Sequence, residues 1–347
     1  MANFPWIGGI ANYLEDAFKD LGFEVKQIFY EEKLMKYLRL IKLNQIKYID
    51  RNFLEKERDN YNNKIIKLAN AYKPDVFLTF NEAHVNTNTV QFLKENVNAI
   101  NICLIGDDPF DSYRFKELPY SLPYFSQIYV AEKEWIPKIK MVSRIAEIIK
   151  FSSAYDHKKF NLSAIPKKNL KFESKLNCKV SFTGESYTTR AEGGYRSAIL
   201  SNLTDYDLRI WGDDGWKYQF KFYPQLSKCY KGNRLPFEEL IYLYANSQIN
   251  LNMPSPQLLT AFQPRVFEIP AVGGFQIVDY REDLFEFFDE NELVTFQSVT
   301  ELKDKVDFYL KNPEKRKPFI DAGLERVKGN TWKDRALEIT NNIEQRI

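Results

Sequence analysis

Short runs of apolar residues alternate with longer amphipathic stretches through the first half of the chain. Three of the apolar runs occupy residues 76–80, 99–105 and 127–130, and a fourth, FEVKQIFY, follows the first amphipathic stretch. Between the runs, apolar residues recur every three or four positions, as they do on one face of a helix. Continuous apolar strands that alternate with helices are typical of a parallel sheet covered on both faces. The pattern therefore predicts an α/β domain.

The second half of the chain repeats this pattern after an irregular segment. Residues 151–173 carry Pro, Lys and Ser without a clear period, which indicates a domain linker. Strand-like runs then end in Gly loops, as in VSFTGESYTTR and LRIWGDDGW, and helical stretches follow them. We therefore predict an N-terminal domain over 1–160, a C-terminal domain over 174–330 and a last helix over 331–347.

Composition excludes several classes of protein. The net charge of +2 provides no overall field that would attract nucleic acid, so no nucleic-acid partner is expected. The three cysteines stand far apart and only two histidines occur, which argues against a disulfide framework and against a structural metal site. No apolar run is long enough to span a membrane, and the first residues do not resemble a secretory signal. These features predict a cytoplasmic protein.

A helical stretch over residues 33–51 is almost entirely basic in its charged positions. Its cationic residues are opposed by Asp50 alone, and they are Lys33, Lys36, Arg39, Lys42, Lys47 and Arg51. A solvated helix face would explain this pattern. The alternative is peripheral contact with the anionic inner face of the membrane, or with an anionic acceptor.

The stretch PRVFEIPAVGGFQIVD places two charged residues, Arg265 and Glu268, in an otherwise apolar run. A helix that begins near Arg265 would present free N–H groups, and an arginine fork adds a fixed donor for a diphosphate. Glu268, one turn further, can accept two ribose hydroxyls. Gly273 and Gly274 would let the next strand pack closely against the helix. The alternative interpretation is a buried Arg–Glu salt bridge between layers.

Two adjacent carboxylates, Asp107 and Asp108, follow the strand-like run at 99–105. One of them could act as the base that takes a proton from an acceptor hydroxyl, because neighbouring carboxylates raise each other's pKa. The sequence GDDPF is equally a turn signal, in which Asp bonds its own backbone. Both interpretations remain open at this point.

The C-terminal half resembles a known family of enzymes. RVFEIPAVGGFQIVDYREDLFEFF and the following ELVTFQSVTELKDKVDFYLKNPEKRKPFIDAGLERV are similar to the C-terminal domain of CgeB-like glycosyltransferases. The Gly loops at VSFTGESYTTR and LRIWGDDGW fit that domain, and PWIGGIANYLEDAF resembles the Gly-Gly loop of the wider group. The resemblance implies a GT-B fold, in which two Rossmann-like domains face each other across a cleft. The C-terminal helix would return toward the N-terminal domain.

The resemblance also implies an activity and a set of site residues. The donor would be a nucleotide-diphosphate sugar, the acceptor a glycan, surface polymer or protein, and no metal or cofactor would be required. By this resemblance, Arg190, after the Gly184 loop, would neutralise the diphosphate, as proposed above for Arg265. Phe262 and Gln263 would bind the diphosphate through backbone N–H groups, and Glu268 would bind the ribose. Asn233 and Arg234 would frame the nucleobase, and Gly8 and Gly9 would approach the phosphates from the N-terminal domain.

The chain departs from the family pattern at two points. Thr260 stands where the first glutamate of a Glu-x7-Glu motif would lie, so the donor sugar and the stereochemistry stay open. Little sequence precedes the Gly-Gly loop, so the opening strand is expected to be short or absent. Two alternatives to a glycosyltransferase follow: an epimerase of the same fold, or a protein that binds nucleotide sugars without catalysis.

Overall fold

The computed structural model describes residues 1–3, 9–30, 51–80, 84–110, 117–167, 170–188 and 192–344. The chain divides into two compact units. Unit 1 comprises Met1–Ser152 together with Ala336–Ile347, and unit 2 comprises Ser153–Arg335.

The described part of unit 1 contains a parallel sheet in the order β2-β1-β3-β4-β5-β6. Its strands are β1 Ala2–Asn3, β2 Ile28–Phe29, β3 Val76–Phe80, β4 Ile100–Ile105, β5 Gln127–Val130 and β6 Glu147–Lys150. Its helices are α1 Ile10–Asp20, α2 Arg51–Tyr72, α3 Thr87–Phe92, α4 Leu118–Ser121 and α5 Ile136–Val142. The residues of β5 are all buried, and those of β4 nearly so, as a sheet covered on both faces requires.

The first two strands of unit 1 are shorter than a typical strand. The opening strand β1 has two residues, which confirms the expectation of a short one. The apolar run at residues 23–30 was expected to form a strand throughout, but only Ile28 and Phe29 pair, with Ala2 and Asn3. An edge strand can extend only as far as its neighbour offers hydrogen bonds, so the rest of this run forms no ladder and Phe23 is 45% exposed.

Unit 2 contains a second parallel sheet, in the order β12-β11-β10-β7-β8-β9. Its strands are β7 Val180–Thr183, β8 Leu208–Gly212, β9 Tyr230–Asn233, β10 Ile249–Asn252, β11 Gln276–Asp279 and β12 Val294–Phe296. Its helices are α6 Leu170–Leu176, α7 Glu192–Leu200, α8 Trp216–Gln219, α9 Phe237–Asn246, α10 Arg265–Ala271, α11 Val299–Lys311 and α12 Lys317–Arg326. The central strands β7, β10 and β11 are buried along their whole length.

Two apolar clusters cover the faces of this second sheet. One packs Phe182 and Ile210 with Trp216 and Leu302, and the other surrounds Phe267 of α10. Since all strands are parallel, their carboxyl ends meet at one edge, where the following loops converge. The loops after β7, β8, β10 and β11 therefore lie at this edge of unit 2.

The last helix, α13 (Trp332–Glu344), begins at a capping box. The Asp334 N–H donates to Thr331 Oγ1 at 3.3 Å, and the Thr331 N–H donates to the Asp334 carboxylate at 2.8 Å. Within unit 1, the Asn342 carbonyl accepts from Gln127 Nε2 of β5 at 3.0 Å, and Asn342 Nδ2 donates to the Tyr129 hydroxyl. The end of this helix is thus bonded to the centre of the first sheet.

None of the helices in the described ranges combines the length and the apolarity that a membrane-spanning segment needs. Residues 33–50 of the predicted basic helix lie outside the described residues, so the structure describes only its last residue, Arg51. Arg51 begins α2.

Candidate functional site

Helix α10 presents two polar residues on an otherwise buried surface. Val266, Phe267 and Ile269 are buried, whereas Arg265 and Glu268 are partly exposed. Residues three apart lie on the same face of a helix, so their side chains share one direction. The sequence suggested that the start of this helix attracts an anion, but α10 has only seven residues, so its dipole is small. The Arg265 side chain is therefore the source of full positive charge at this position.

Arg265 is held in place by a buried polar chain. Its Nε donates to the Tyr244 hydroxyl of α9 at 3.1 Å, and that hydroxyl lies 3.0 Å from Thr183 Oγ1 at the end of β7. Tyr244 is 3% exposed, so this contact is shielded from water. Nη1 of Arg265 is also buried and has no hydrogen-bond partner within the described ranges. The guanidinium is therefore oriented through one nitrogen and left with donors unused on another.

Glu268 does not neutralise Arg265 directly. Neither an ion pair nor a hydrogen bond joins the two side chains in the described part of the protein. Burial raises the pKa of Glu268 from its ordinary value of 4.5 to about 7, against the opposing effect of the Arg265 charge. Asp156 raises the pKa slightly further. This geometry differs from the alternative of a closed Arg–Glu salt bridge.

The two residues before α10 provide further free donors. The main-chain N–H groups of Phe262 and Gln263 have no acceptor among the residues that the structure describes. The Phe262 ring is buried against Phe267 and Phe287, and its carbonyl accepts from Ser153 Oγ at 3.0 Å. Its peptide is thus fixed by packing. Free amides beside an incompletely bonded arginine form a local surface suited to anionic oxygen.

The loop after β7 begins at Gly184 and is bonded from several sides. Its N–H donates to the Trp211 carbonyl, and its carbonyl accepts from Trp216 Nε1 at 2.9 Å. The next peptides are held by the Asp213 carboxylate, which accepts from the Ser186 N–H at 2.9 Å. A Cβ at Gly212 would come within 2.1 Å of the Gly184 carbonyl, so glycine is required where these two loops meet.

Asn233 and Arg234, which were expected to frame a nucleobase, lie exposed at the end of β9. Arg234 pairs with Glu185 of the Gly184 loop, and Asn233 Oδ1 accepts from the Tyr230 hydroxyl at 3.2 Å. The ion pair joins the end of β9 to the loop after β7. These two predicted residues are therefore next to Gly184 in space.

The predicted Gly-Gly pair connects α10 to β11. Gly273 has a φ of +73°, in the left-handed region that side chains rarely adopt. A Cβ on Gly274 would lie 2.4 Å from the Tyr244 carbonyl and 2.8 Å from Ile269. Close packing of helix and strand at this point thus depends on glycine, as the sequence suggested.

Thr260 occupies the position of the missing motif glutamate and is bonded to an acidic residue. Its hydroxyl donates to Asp283 Oδ2 at 3.2 Å, and the Asp283 N–H donates to the Thr260 carbonyl at 3.0 Å. Asp283 is 1% exposed. The loop that carries Thr260 is therefore attached to the segment after β11.

The loop that carries Thr260 is also attached to the end of β11 through a buried ion pair. Arg281 binds both oxygens of Asp279 at 3.0 Å, and its Nε donates to the Leu258 carbonyl at 2.9 Å. The Tyr195 hydroxyl of α7 donates to Asp279 at 2.9 Å. Sequence reasoning missed Arg281, Tyr195 and Tyr244 because their partners are distant in the chain.

The remaining predicted residues are not in unit 2 or lie outside the described ranges. Asp107 and Asp108 follow β4 of unit 1, where Asp108 Oδ1 accepts from the Phe110 N–H at 2.9 Å, the contact expected of a turn. Gly9 precedes α1 at the N-cap position. Gly8 and Arg190 lie outside the described residues. Within the described ranges, no three acidic, histidine or cysteine side chains are grouped to hold a metal ion.

The raised pKa of Glu268 leads to a prediction about stability. The folded protein keeps a proton on Glu268 between pH 4.5 and about 7, where the unfolded chain has released it. Stability therefore falls as the pH rises through this interval and is level above it. We expect Glu268→Gln to have a higher Tm than the parent at pH 8 and a similar Tm near pH 5. Thermal melts at both pH values measure this difference, and an equal gap at both would contradict it.

Part of the chain matches a known protein family. Residues 196–341 match the family model described as glycosyl transferase-like. No curated protein sequence matched the chain.

Solved structures of similar fold cover most of the chain. Sucrose-phosphate synthase of Thermosynechococcus elongatus shares 13% identity, with a TM-score of 0.68 over 99% of this chain and 95% of that one. A glycosyltransferase of Rickettsia africae shares 14% identity, with a TM-score of 0.62 over 96% of this chain and 93% of that one. HepE of Anabaena, solved with UDP-glucose, shares 12% identity, with a TM-score of 0.57 and 82% of each chain covered.

The two parallel-sheet α/β domains confirm the predicted GT-B fold class. The family match covers residues 196–341, and the solved structures show that the chain shares their fold.

Proposed function

We propose that this protein transfers a sugar from a nucleotide-diphosphate sugar to a glycan, surface-polymer or protein acceptor, as a CgeB-like enzyme. The observation that carries the proposal is the group of unused donors beside α10. Arg265 Nη1 and the N–H groups of Phe262 and Gln263 have no acceptor in the described part of unit 2. The diphosphate of such a donor would supply the missing acceptor oxygens.

The electrostatics of the site favour loss of a diphosphate leaving group. Negative charge develops on the diphosphate as the glycosidic bond to the donor sugar breaks. Donors that are fixed in advance stabilise that charge without reorganisation, which is usually the largest catalytic contribution. Tyr244 and Thr183 hold Arg265 in its orientation. Arg190 is proposed as a second cation for the same charge.

Roles for the other predicted site residues belong to the same proposal. The Glu268 carboxylate, which has no ion-pair partner in the described ranges, would accept the ribose hydroxyls. Asn233 and Arg234, joined to the Gly184 loop through Glu185, would frame the base. In unit 1, Asp107 or Asp108 is proposed as the base for the acceptor, with Gly8 and Gly9 near the phosphates. The transfer is proposed to require no metal and to take place in the cytoplasm.

Solved structures of similar fold that contain a ligand guide the choice of donor sugars for a first test. HepE was solved with UDP and with UDP-glucose. We would screen UDP-, GDP- and ADP-sugars by thermal shift, since a ligand that binds the folded state raises the melting temperature. At least one should raise it and release nucleoside diphosphate when acceptor glycans are supplied. The proposal would be abandoned if no donor bound and none was consumed.

Thr260 favours a second candidate, a protein that binds nucleotide sugars without catalysis. The carboxylate expected at that position is replaced by a hydroxyl that is already bonded to Asp283. Donor binding without release of nucleotide, across a broad acceptor panel, would favour this candidate. An epimerase would instead yield a new nucleotide sugar of unchanged mass, which chromatography separates from the starting donor.

A further inference from the structure

Tyr187 lies in the loop after β7 with an unusual backbone. Its φ is +49°, in the left-handed region that is strained for a residue with a large side chain. The two residues before it are held in place, because the Ser186 N–H donates to Asp213 and the Glu185 carbonyl accepts from Arg196. Strained residues that are held by their surroundings are concentrated at ligand sites.

The ring of Tyr187 is fixed by a buried cation. The Arg196 guanidinium lies 4.5 Å from the centre of the ring. Arg196 is 2% exposed and donates to the carbonyls of Glu185, at 2.9 Å, and Met253, at 2.7 Å. These carbonyls belong to the loops after β7 and β10. Stacking on this rigid cation fixes the direction of the Tyr187 hydroxyl.

The loop that carries Tyr187 begins next to the residues that hold Arg265. Tyr187 lies four residues after Thr183, whose hydroxyl is 3.0 Å from the Tyr244 hydroxyl that accepts from Arg265 Nε. In the described ranges the Tyr187 hydroxyl has no hydrogen-bond partner, and Nη1 of Arg265 has none either. Two donors at the same edge of the sheet, neither with an acceptor among the described residues, fit a ligand that offers acceptor oxygens and carries negative charge.

We propose that Tyr187 is a binding residue for the donor diphosphate, with its hydroxyl donating to a phosphoryl oxygen that Arg265 also contacts. This inference rests on the proposed function and extends it to a residue that the family resemblance did not indicate. A phosphoryl oxygen fits better than a sugar hydroxyl, because Arg265 can only donate and its charge favours an anion.

The test removes only the hydroxyl, with Tyr187→Phe in the full-length chain. The ring and its contact with Arg196 are kept, so the Tm without ligand should match that of the parent. Calorimetry would measure binding of inorganic pyrophosphate and of whichever of UDP, GDP and ADP binds the parent most tightly. Both affinities should fall about tenfold or more, as expected for a lost hydrogen bond to a charged group.

Tyr218→Phe is a matched control. Tyr218 lies on α8 of the same unit, is 47% exposed, and also has a cation near its ring, with Lys221 Nζ 4.8 Å from the centre. Removing the Tyr218 hydroxyl should leave the affinities for pyrophosphate and for the nucleoside diphosphate unchanged.

The outcomes separate this inference from the proposed function. Parent-like binding by Tyr187→Phe, together with loss of binding by Arg265→Gln, would overturn the role of Tyr187 and leave the proposed function intact. Loss of nucleotide binding with unchanged pyrophosphate binding would also overturn it, since the contact would then be to base or ribose. A parent that binds no nucleoside diphosphate and no nucleotide sugar would refute both proposals.

Discussion

Replacing Arg265 by glutamine is expected to lower sugar transfer by roughly two to three orders of magnitude and to leave the protein folded. The guanidinium has donors that no group in the described part of unit 2 accepts, and the proposed role of this residue is toward the ligand. Its one side-chain hydrogen bond within the described residues is to the Tyr244 hydroxyl, which keeps Thr183 as a partner when Arg265 is lost. Initial rates with the donor found by the screen measure the effect.

Two further variants sharpen the experiment on Arg265. Arg265→Lys keeps a positive charge but loses the planar fork, so its activity should fall between those of the parent and the glutamine variant. Arg326→Gln changes an arginine of α12 that pairs with Glu292 and Asp289, before β12 at the opposite edge of the sheet, and should retain parent activity. Near-normal transfer by Arg265→Gln would remove this residue from the mechanism.

Replacing Arg281 by methionine is expected to lower the free energy of unfolding by about 3–5 kcal/mol. The change leaves the Asp279 carboxylate, 5% exposed, with only the Tyr195 hydroxyl to compensate its charge among the contacts described above. It also removes the donor of the Leu258 carbonyl and so frees the loop before α10. Denaturant unfolding at neutral pH measures the loss, and donor affinity should fall as the loop loosens.

A double variant shows whether the buried pair is the cause. Arg281→Met with Asp279→Asn should be less destabilised than the sum of the two single changes, because no uncompensated charge remains. The exposed pair of Arg326 and Glu292 is the matched control, and Arg326→Met should cost at most about 1 kcal/mol. A similar cost for Arg281→Met would show that the buried pair does not stabilise unit 2.

The sequence predicted best those features that depend only on residues close together in the chain, such as strand bounds and helix faces. The strands at Val76–Phe80 and Gln127–Val130 have the predicted bounds, because each is a continuous apolar run in the interior of a sheet. The spacing of Arg265 and Glu268 likewise placed them on one helix face, since three residues make about one turn. The run at residues 23–30 was overestimated because its strand depends on a two-residue neighbour.

The site residues that the sequence did not reveal depend on contacts between distant segments. Tyr244 looked like a core aromatic of an amphipathic helix, and its hydroxyl gained a role only through Thr183 and Arg265. The bond from Thr260 to Asp283 likewise joins two loops that no local pattern relates. The left-handed backbone of Tyr187 follows Glu185 and Ser186, whose peptides are bonded to Arg196 and Asp213 further along the chain.

The division of the chain between the two units has a consequence for biosynthesis. Unit 2 is one continuous segment, Ser153–Arg335, whereas unit 1 needs Ala336 and the residues after it. Every residue of unit 2 is therefore synthesised before Asn342, whose carbonyl accepts the hydrogen bond from Gln127. On a nascent chain unit 2 can therefore fold first, and unit 1 completes its core only after the residues from Ala336 onward have been synthesised.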